Sequence, residues 1–148
     1  MLVIRGLFFL MIAICFSAPV RKAEDIAGTW LTADKEGHIK IYSSYGKFYG
    51  LITWLKNPID PETGKTQLDI NNNDPKLRNR PVMHLLVLTD LVFDKALNKW
   101  KDGKIYDPKS GTTAELLCNM PQDDILQMHF YLRIQELGKT SLWTRVTN

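Results

Sequence analysis

Apolar residues in this chain alternate with polar residues at a period of two, and turn-forming residues separate the alternating segments at short intervals. This period is typical of β-strands that bury one face, and no helical period interrupts it. We therefore predict an all-β fold. The eight predicted strands cover residues 28–34, 38–44, 47–55, 82–94, 99–106, 112–120, 125–134 and 140–147.

Eight strands in hairpin succession can form two packed sheets or one sheet closed on itself, and only closure leaves no strand edge unpaired. Trp30 lies in the first predicted strand and Arg145 in the last. Closure would stack the guanidinium on the indole, a contact worth about 0.5–2 kcal/mol. We therefore predict a single eight-stranded antiparallel up-and-down barrel with Trp30 and Arg145 at its closure. Side chains or one small ligand can fill the interior of such a barrel.

Residues 1–17 predict a secretory signal peptide, because Arg5 precedes an apolar run over residues 7–16 that is too short to span a membrane. We expect cleavage after Ser17 and a barrel domain over residues 18–148. The mature chain would then be periplasmic or extracellular, with no transmembrane segment. Cys15 faintly resembles the cysteine of a lipoprotein box, which leaves a lipid anchor as an alternative.

The composition narrows the classes of protein to which the chain can belong. With 45% hydrophobic and 24% charged residues it has the balance of a globular protein. The net charge of +3 is spread without a basic run, so we expect no nucleic-acid partner. Once Cys15 is removed, Cys118 is the single cysteine and has no disulfide partner. We interpret Cys118 as a small buried hydrophobic residue.

The segment 56–81 differs from the rest of the chain because it is long for a strand connection and dense in turn-forming residues. Within it, Asn73 and Asp74 precede Arg78 and Arg80, so amide, carboxylate and guanidinium groups lie beside the predicted barrel mouth. Closely spaced guanidiniums suit a carboxylate, phosphate or sulfate ligand. The same groups can instead pair with acidic residues and hold the loop against the barrel, and both interpretations stay open.

Trp54 completes the set of candidate ligand-binding residues. The alternation predicts that Trp54 shares one face of its strand with Phe48 and Ile52. The three histidines lie on different predicted strands, and the sequence contains no nucleophile elbow, phosphate loop or zinc-protease motif. We therefore predict no catalytic residues, no metal site and no cofactor.

Five motifs follow one another along most of the chain. They are Gly28-Thr29-Trp30-Leu31; Gly50-Leu51-Ile52-Thr53-Trp54-Leu55; Asn73-Asp74-Pro75 with Leu77-Arg78-Asn79-Arg80-Pro81; Gly103-Lys104-Ile105-Tyr106-Asp107-Pro108 with Gly111; and Leu137-Gly138 with Trp143-Thr144-Arg145-Val146. In these motifs the chain resembles the bacterial exported family called domain of unknown function 2147. The resemblance implies a lipocalin-like (calycin) barrel and assigns no activity. The chain departs from the family's usual residues at His84, Ala114, His129 and Phe130.

The expected function is non-enzymatic binding of a small, partly apolar or anionic molecule, in the barrel or at its mouth. The alternative is an envelope interaction or maintenance module with a filled core, which binds another protein through the 56–81 loop. The interior distinguishes them, because a void of about 300 Å³ or more with apolar walls favours a ligand.

Overall fold

The computed structural model describes residues 17–147, so the predicted signal segment with Cys15 lies outside the described residues. Eight antiparallel strands form a closed barrel in sequence order, which confirms the predicted all-β, lipocalin-like architecture. The strands are β1 (Gly28–Leu31), β2 (Gly37–Ser44), β3 (Lys47–Leu55), β4 (Leu86–Asp94), β5 (Lys99–Asp107), β6 (Thr112–Gln122), β7 (Ile125–Tyr131) and β8 (Lys139–Arg145). Short 3₁₀ helices span Ala23–Ile26, Pro75–Leu77 and Gln135–Leu137.

Four strands, β1, β4, β7 and β8, are shorter than the alternation predicts. Backbone geometry explains the boundaries of β1 and β4. β1 ends at Leu31 because Thr32 starts a turn: its amide donates to the carbonyl of Gly37, and its own carbonyl accepts from the amide of Lys35. β4 begins at Leu86 instead of residue 82 because His84 has a φ of 68°, outside the β region. Local turns therefore shorten segments whose side-chain pattern still reads as strand.

The N-terminal segment closes one end of the barrel, which we call the closed end. Its 3₁₀ helix places Ile26 in the core, completely buried. The indole of Trp30 donates to the carbonyl of Ile26 at 2.9 Å, and the indole of Trp100 donates to the carbonyl of Ala23 at 3.0 Å. Both tryptophans are fully buried, so each satisfies its one polar group while filling the core.

The barrel closes at the seam between β1 and β8, where Trp30 pairs with Arg145 in register. The Arg145 guanidinium carbon lies 4.2 Å from the centre of the Trp30 ring, which confirms the predicted stacking contact. The same guanidinium donates to the carbonyls of Ala27 (2.8 Å), Asp25 (2.7 Å) and Asp123 (2.9 Å). Arg145 thus joins the N-terminal segment, the seam and the β6–β7 turn.

Side chains fill the middle of the barrel because two wall positions that face inward are glycines. A Cβ atom at Gly50 would lie 2.9 Å from Cβ of Leu88, and one at Gly103 would lie 2.7 Å from Cδ1 of Leu91. The two leucines, both completely buried, occupy the space that these glycines leave. Side chains therefore fill the barrel at this level.

The opposite end, which we call the open end, carries the β1–β2, β5–β6 and β7–β8 connections and the long β3–β4 connection. Residues 56–85 form the last of these and are called the strap. The strap makes two isolated β-bridges, Ile59 with Thr66 and Leu68 with Pro81, so it has internal structure of its own.

Candidate functional site

A cavity of about 1720 Å³ occupies the open half of the barrel and its mouth. Binding sites for small molecules usually enclose about 300–1,000 Å³, so the space is ample for one ligand. Ala114 and Ser141 line the cavity and are small, which leaves much of it empty. The apolar wall is formed by inward-facing residues of several strands: Ile39, Ile52, Val87, Ile105, Phe130 and Trp143.

The prediction that Trp54 shares one face of its strand with Phe48 and Ile52 is wrong. Ile52 pairs with Ile39 and Trp54 pairs with His38, so Thr53 is an extra residue on β3. This bulge reverses the alternation. The Trp54 indole therefore lies outside the barrel, with its ring 4.5 Å from that of His38, and does not line the cavity.

Asp69 fastens the strap to the barrel wall. Its carboxylate is completely buried and accepts bonds from Nε of Arg80 at 2.9 Å and from the Tyr106 hydroxyl at 2.5 Å. The Asn72 amide donates to the same carboxylate at 2.8 Å, and the second Arg80 nitrogen, Nη2, lies 2.8 Å from it. Tyr106 belongs to β5 and lines the cavity, so this cluster connects the strap directly to the cavity wall. Burial, together with the neighbouring Asp69 carboxylate, raises the pKa of Tyr106.

The other predicted ligand groups of the strap bond within the protein. The Asn73 amide donates to the carbonyl of Gly111 at 3.2 Å, and the Asp74 carboxylate accepts from the amide of Lys76 at 3.0 Å. Nε of Arg78 donates to the carbonyl of Asn72 at 2.8 Å. None of Asn73, Asp74, Arg78 and Arg80 lines the cavity. The structure therefore brings these four residues together in the strap, where their hydrogen bonds anchor the strap.

An ion-pair cluster lies at the mouth. The Lys109 ammonium lies 2.8 Å from the Asp34 carboxylate and also contacts Glu36. Partial burial acts to raise the pKa of Asp34, but hydrogen bonds from Lys109, Thr32 and the Glu36 amide outweigh it, so the pKa lies below its ordinary value. The two carboxylates in turn raise the pKa of Lys109. This cluster ties the β1–β2 turn to the β5–β6 turn.

Residues 132–138, which join β7 to β8 and are called the mouth loop, form another part of the mouth. Leu132, Ile134 and Leu137 are all exposed and line the cavity opening. Arg133 and Lys139 line the opening beside them. The mouth loop and the adjoining Lys139 thus combine apolar side chains with two cations at the edge of an apolar cavity.

The remaining chemistry-bearing residues lie apart from one another. Among residues 17–147, no group of three His, Cys, Asp or Glu side chains is arranged to hold a metal ion. Cys118 is buried in the core, and burial raises the pKa of its thiol. His129 bonds to the carbonyl of Gln135 and the hydroxyl of Thr140. Over the same part of the chain, no helix has the length and apolar character needed to cross a bilayer.

Comparison with known proteins agrees with this architecture. Residues 28–145 match the sequence profile of DUF2147, described as "Uncharacterized protein conserved in bacteria". The chain belongs to this family. A solved structure similar to this DUF2147 chain is Protein HP1028 from the human pathogen Helicobacter pylori, which is described as belonging to the lipocalin family. The similarity has a TM-score of 0.68 and 26% sequence identity, and covers 82% of this chain and 83% of that one. No curated protein sequence matches this DUF2147 chain.

Sequence reasoning missed the cavity wall of this DUF2147 barrel, although a signal for it was present. Ala114 pairs with Ile105, and Ser141 pairs with Met128, so both small residues stand at inward positions. Small residues at inward positions near one end of a barrel indicate space there. Pairing of Arg78 and Arg80 with Asp60, Asp69 or Asp74 was one of the two interpretations that the sequence left open, and the structure pairs Arg80 with Asp69. The bond from Tyr106 to Asp69 was not apparent, since the two residues lie 37 positions apart.

Proposed function

We propose that this DUF2147 protein is exported and binds one largely apolar molecule in its cavity, with a polar or anionic end of that molecule at the mouth. The observation that carries the proposal is the empty, apolar-walled space in the open half of the barrel. Burying apolar surface of a ligand there yields about 25 cal/mol for each Å² removed from water. Export rests on the signal-peptide pattern of residues 1–17.

The distribution of charge supports an orientation for the ligand. The deep wall is apolar, and the charged residues that line the cavity belong to its rim connections. Lys109 is already paired with Asp34 and Glu36. Lys65 lines the cavity together with Asp60 and Glu62 of the same strap, so Arg133 and Lys139, at the mouth loop, are the cations best placed to meet an anionic group. An elongated molecule with one charged end matches this arrangement.

The test is to fill the cavity without disturbing the barrel. We expect Ala114→Trp to weaken binding of fatty acids and of a fluorescent anilinonaphthalene sulfonate dye by roughly tenfold or more, because the indole occupies the ligand's space. Ala96→Trp is the matched control, since Ala96 lies in the exposed β4–β5 turn at the closed end. Ser141→Trp provides an independent second filling of the same cavity.

Native mass spectrometry of the purified protein is the direct readout. A bound molecule that is present in the wild type and in Ala96→Trp, but lost in Ala114→Trp and Ser141→Trp, supports the proposal. Dye and fatty acid that bind all four proteins equally contradict it, and so does a wild type that binds neither.

A second candidate function is docking of a protein partner on the strap, because the strap exposes apolar side chains. Ile59 and Ile70 are both exposed, and Ile70 also borders the mouth. Replacing both by serine should remove a crosslink from a photoreactive residue placed at Leu77, an exposed neighbour on the strap. A crosslink that persists in the serine variant excludes these two side chains as the contact.

A further inference from the structure

The mouth loop exposes large apolar side chains beyond what the barrel needs. Leu132, Ile134 and Leu137 are 67%, 55% and 78% exposed. A single exposed apolar residue is ordinary, whereas three within six residues form a patch that indicates an interaction site. All three also line the cavity, so this patch adjoins the cavity opening.

The patch is held in a defined conformation. His129 of β7 contacts the carbonyl of Gln135 at 2.7 Å and the hydroxyl of Thr140 at 3.0 Å, so its ring joins the loop to both flanking strands. Gly138 lies so close to β7 that an added Cβ would be 2.5 Å from the carbonyl oxygen of Phe130. A loop that already has a defined conformation loses little conformational entropy on docking, and this favours binding through its exposed side chains.

The charges around the patch identify its partner. Arg133 lies between Leu132 and Ile134, and Lys139 follows the loop, whereas Glu136 is the loop's one acidic residue. Apolar tips interspersed with cations match the interface of a bilayer that contains anionic lipids, where the tips enter the acyl boundary and the cations meet phosphates. Across the barrel from the mouth loop lies the strap, where Asp60 and Glu62 line the cavity beside the single cation Lys65, so an anionic surface would be repelled there.

We propose that the mouth loop docks the open end of the barrel on an anionic lipid surface, with Leu132, Ile134 and Leu137 inserted and Arg133 and Lys139 at the headgroups. Repulsion at the opposite rim tilts the barrel so that the mouth loop makes first contact. The cavity opening then faces the lipid at its apolar side. Docking of this kind needs no molecule in the cavity, so it is independent of the proposed ligand.

The experiment measures binding of the purified protein to vesicles by cosedimentation. Residues 18–147 contain all eight strands and the closed end, so the protein is made from Ala18 onward to keep the apolar run 7–16 out of the assay. Vesicles of phosphatidylcholine with phosphatidylglycerol are compared with phosphatidylcholine alone, at low and high salt. We expect binding to the anionic vesicles, weakened by salt.

Two variants separate the apolar and the charged contributions. Leu132→Ser with Leu137→Ser should lower the partition coefficient by roughly a hundredfold, about tenfold for each lost leucine. Arg133→Gln with Lys139→Gln should lower it by roughly tenfold or more on anionic vesicles only. Leu97→Ser is the matched control, because Leu97 is 57% exposed but lies at the closed end, and this variant should bind like the wild type.

Several results would overturn the proposal. The proposal is wrong if the wild type binds neither kind of vesicle, or binds both kinds equally. It is also wrong if the double serine variant binds anionic vesicles as strongly as the wild type does. A wild type that sediments as a dimer, and that the double serine variant converts to a monomer, would show that a second copy covers the patch instead. Circular dichroism of each variant shows whether the barrel is folded. If the double serine variant does not fold, the charge variant still tests the proposal, because it leaves the apolar contacts intact.

Discussion

Removing the Arg80 guanidinium leaves the buried Asp69 carboxylate without its charged partner. Asp69 is 0% exposed, and Arg80 makes two contacts with the same carboxylate oxygen, at 2.9 and 2.8 Å. After Arg80→Ala, the carboxylate keeps the bonds from Tyr106 and Asn72, both of which are neutral. The charge therefore stays buried with less compensation than it has in the native protein, and the strap loses its strongest attachment to the barrel.

The expected loss of unfolding free energy is about 2–3 kcal/mol. Breaking a fully buried ion pair from one side costs about 3–5 kcal/mol. The figure is reduced here because the Arg80 side chain is 38% exposed, so that water partly replaces it, and because two hydrogen bonds to Asp69 remain. For a barrel of this size, the loss corresponds to a fall in Tm of roughly 10 °C.

Arg78→Ala is the matched control, since Arg78 is exposed and its Nε makes one hydrogen bond, to the carbonyl of Asn72. It should cost no more than about 1 kcal/mol. Urea unfolding of both variants, with Asp69→Asn and the Asp69→Asn/Arg80→Ala double variant, completes a double-mutant cycle. We expect the double variant to be more stable than Arg80→Ala alone, because it buries no unpaired charge. Equal losses for Arg78→Ala and Arg80→Ala, or strict additivity in the cycle, would refute the assigned role of Asp69.

Three further predictions concern the ends of the barrel. Gly111→Ala should destabilise the protein by about 2 kcal/mol or more in urea unfolding. The reason is that φ is +70° at Gly111 and the added Cβ would lie 1.9 Å from the Asn71 carbonyl oxygen. An unchanged unfolding midpoint would contradict this close packing. Arg145→Met should lower the free energy of unfolding by about 3 kcal/mol, because three backbone carbonyls lose a charged donor and the Trp30 indole loses its stacked cation. A loss of less than about 1 kcal/mol would argue against the role of Arg145 in barrel closure. The lowered pKa of Asp34 means that its ion pair with Lys109 stabilises the fold above the unfolded pKa of 3.8 and is lost as pH falls through the folded value. Lys109→Met should therefore be less stable than the wild type at neutral pH and should lose less stability than the wild type on acidification. Identical pH profiles of stability for the variant and the wild type would count against the ion pair.

The barrel was predictable because its determinants repeat along the chain. Alternation and turn residues recur in every hairpin, so a misplaced boundary, such as that of β4, does not alter the count of eight strands. The seam was predictable for a different reason: a closed sheet must bring its first and last strands together, which placed Trp30 beside Arg145 before any geometry was known.

The site was harder to predict because it depends on events that occur once. A single bulge at Thr53 moves Trp54 off the strand face that it was predicted to share with Phe48 and Ile52, and onto the outer surface. The strap has no periodic pattern, and its arrangement depends on contacts far apart in sequence, such as those of Asn71 and Asn73 with the β5–β6 turn, each across 38 residues. The size of the cavity depends on the summed volumes of the side chains at one level of the barrel. The alternation of apolar and polar residues carries no information about that sum.

The two glycines of the barrel wall have a consequence for selectivity. Because Leu88 and Leu91 occupy the space beside Gly50 and Gly103, the middle of the barrel is filled, and neither leucine is among the residues that line the cavity. A guest is therefore confined to the open half of the barrel, and its maximal length is limited by this packing and not by the rim. Leu91→Ala would open a void beside Gly103, at a stability cost of about 2–5 kcal/mol.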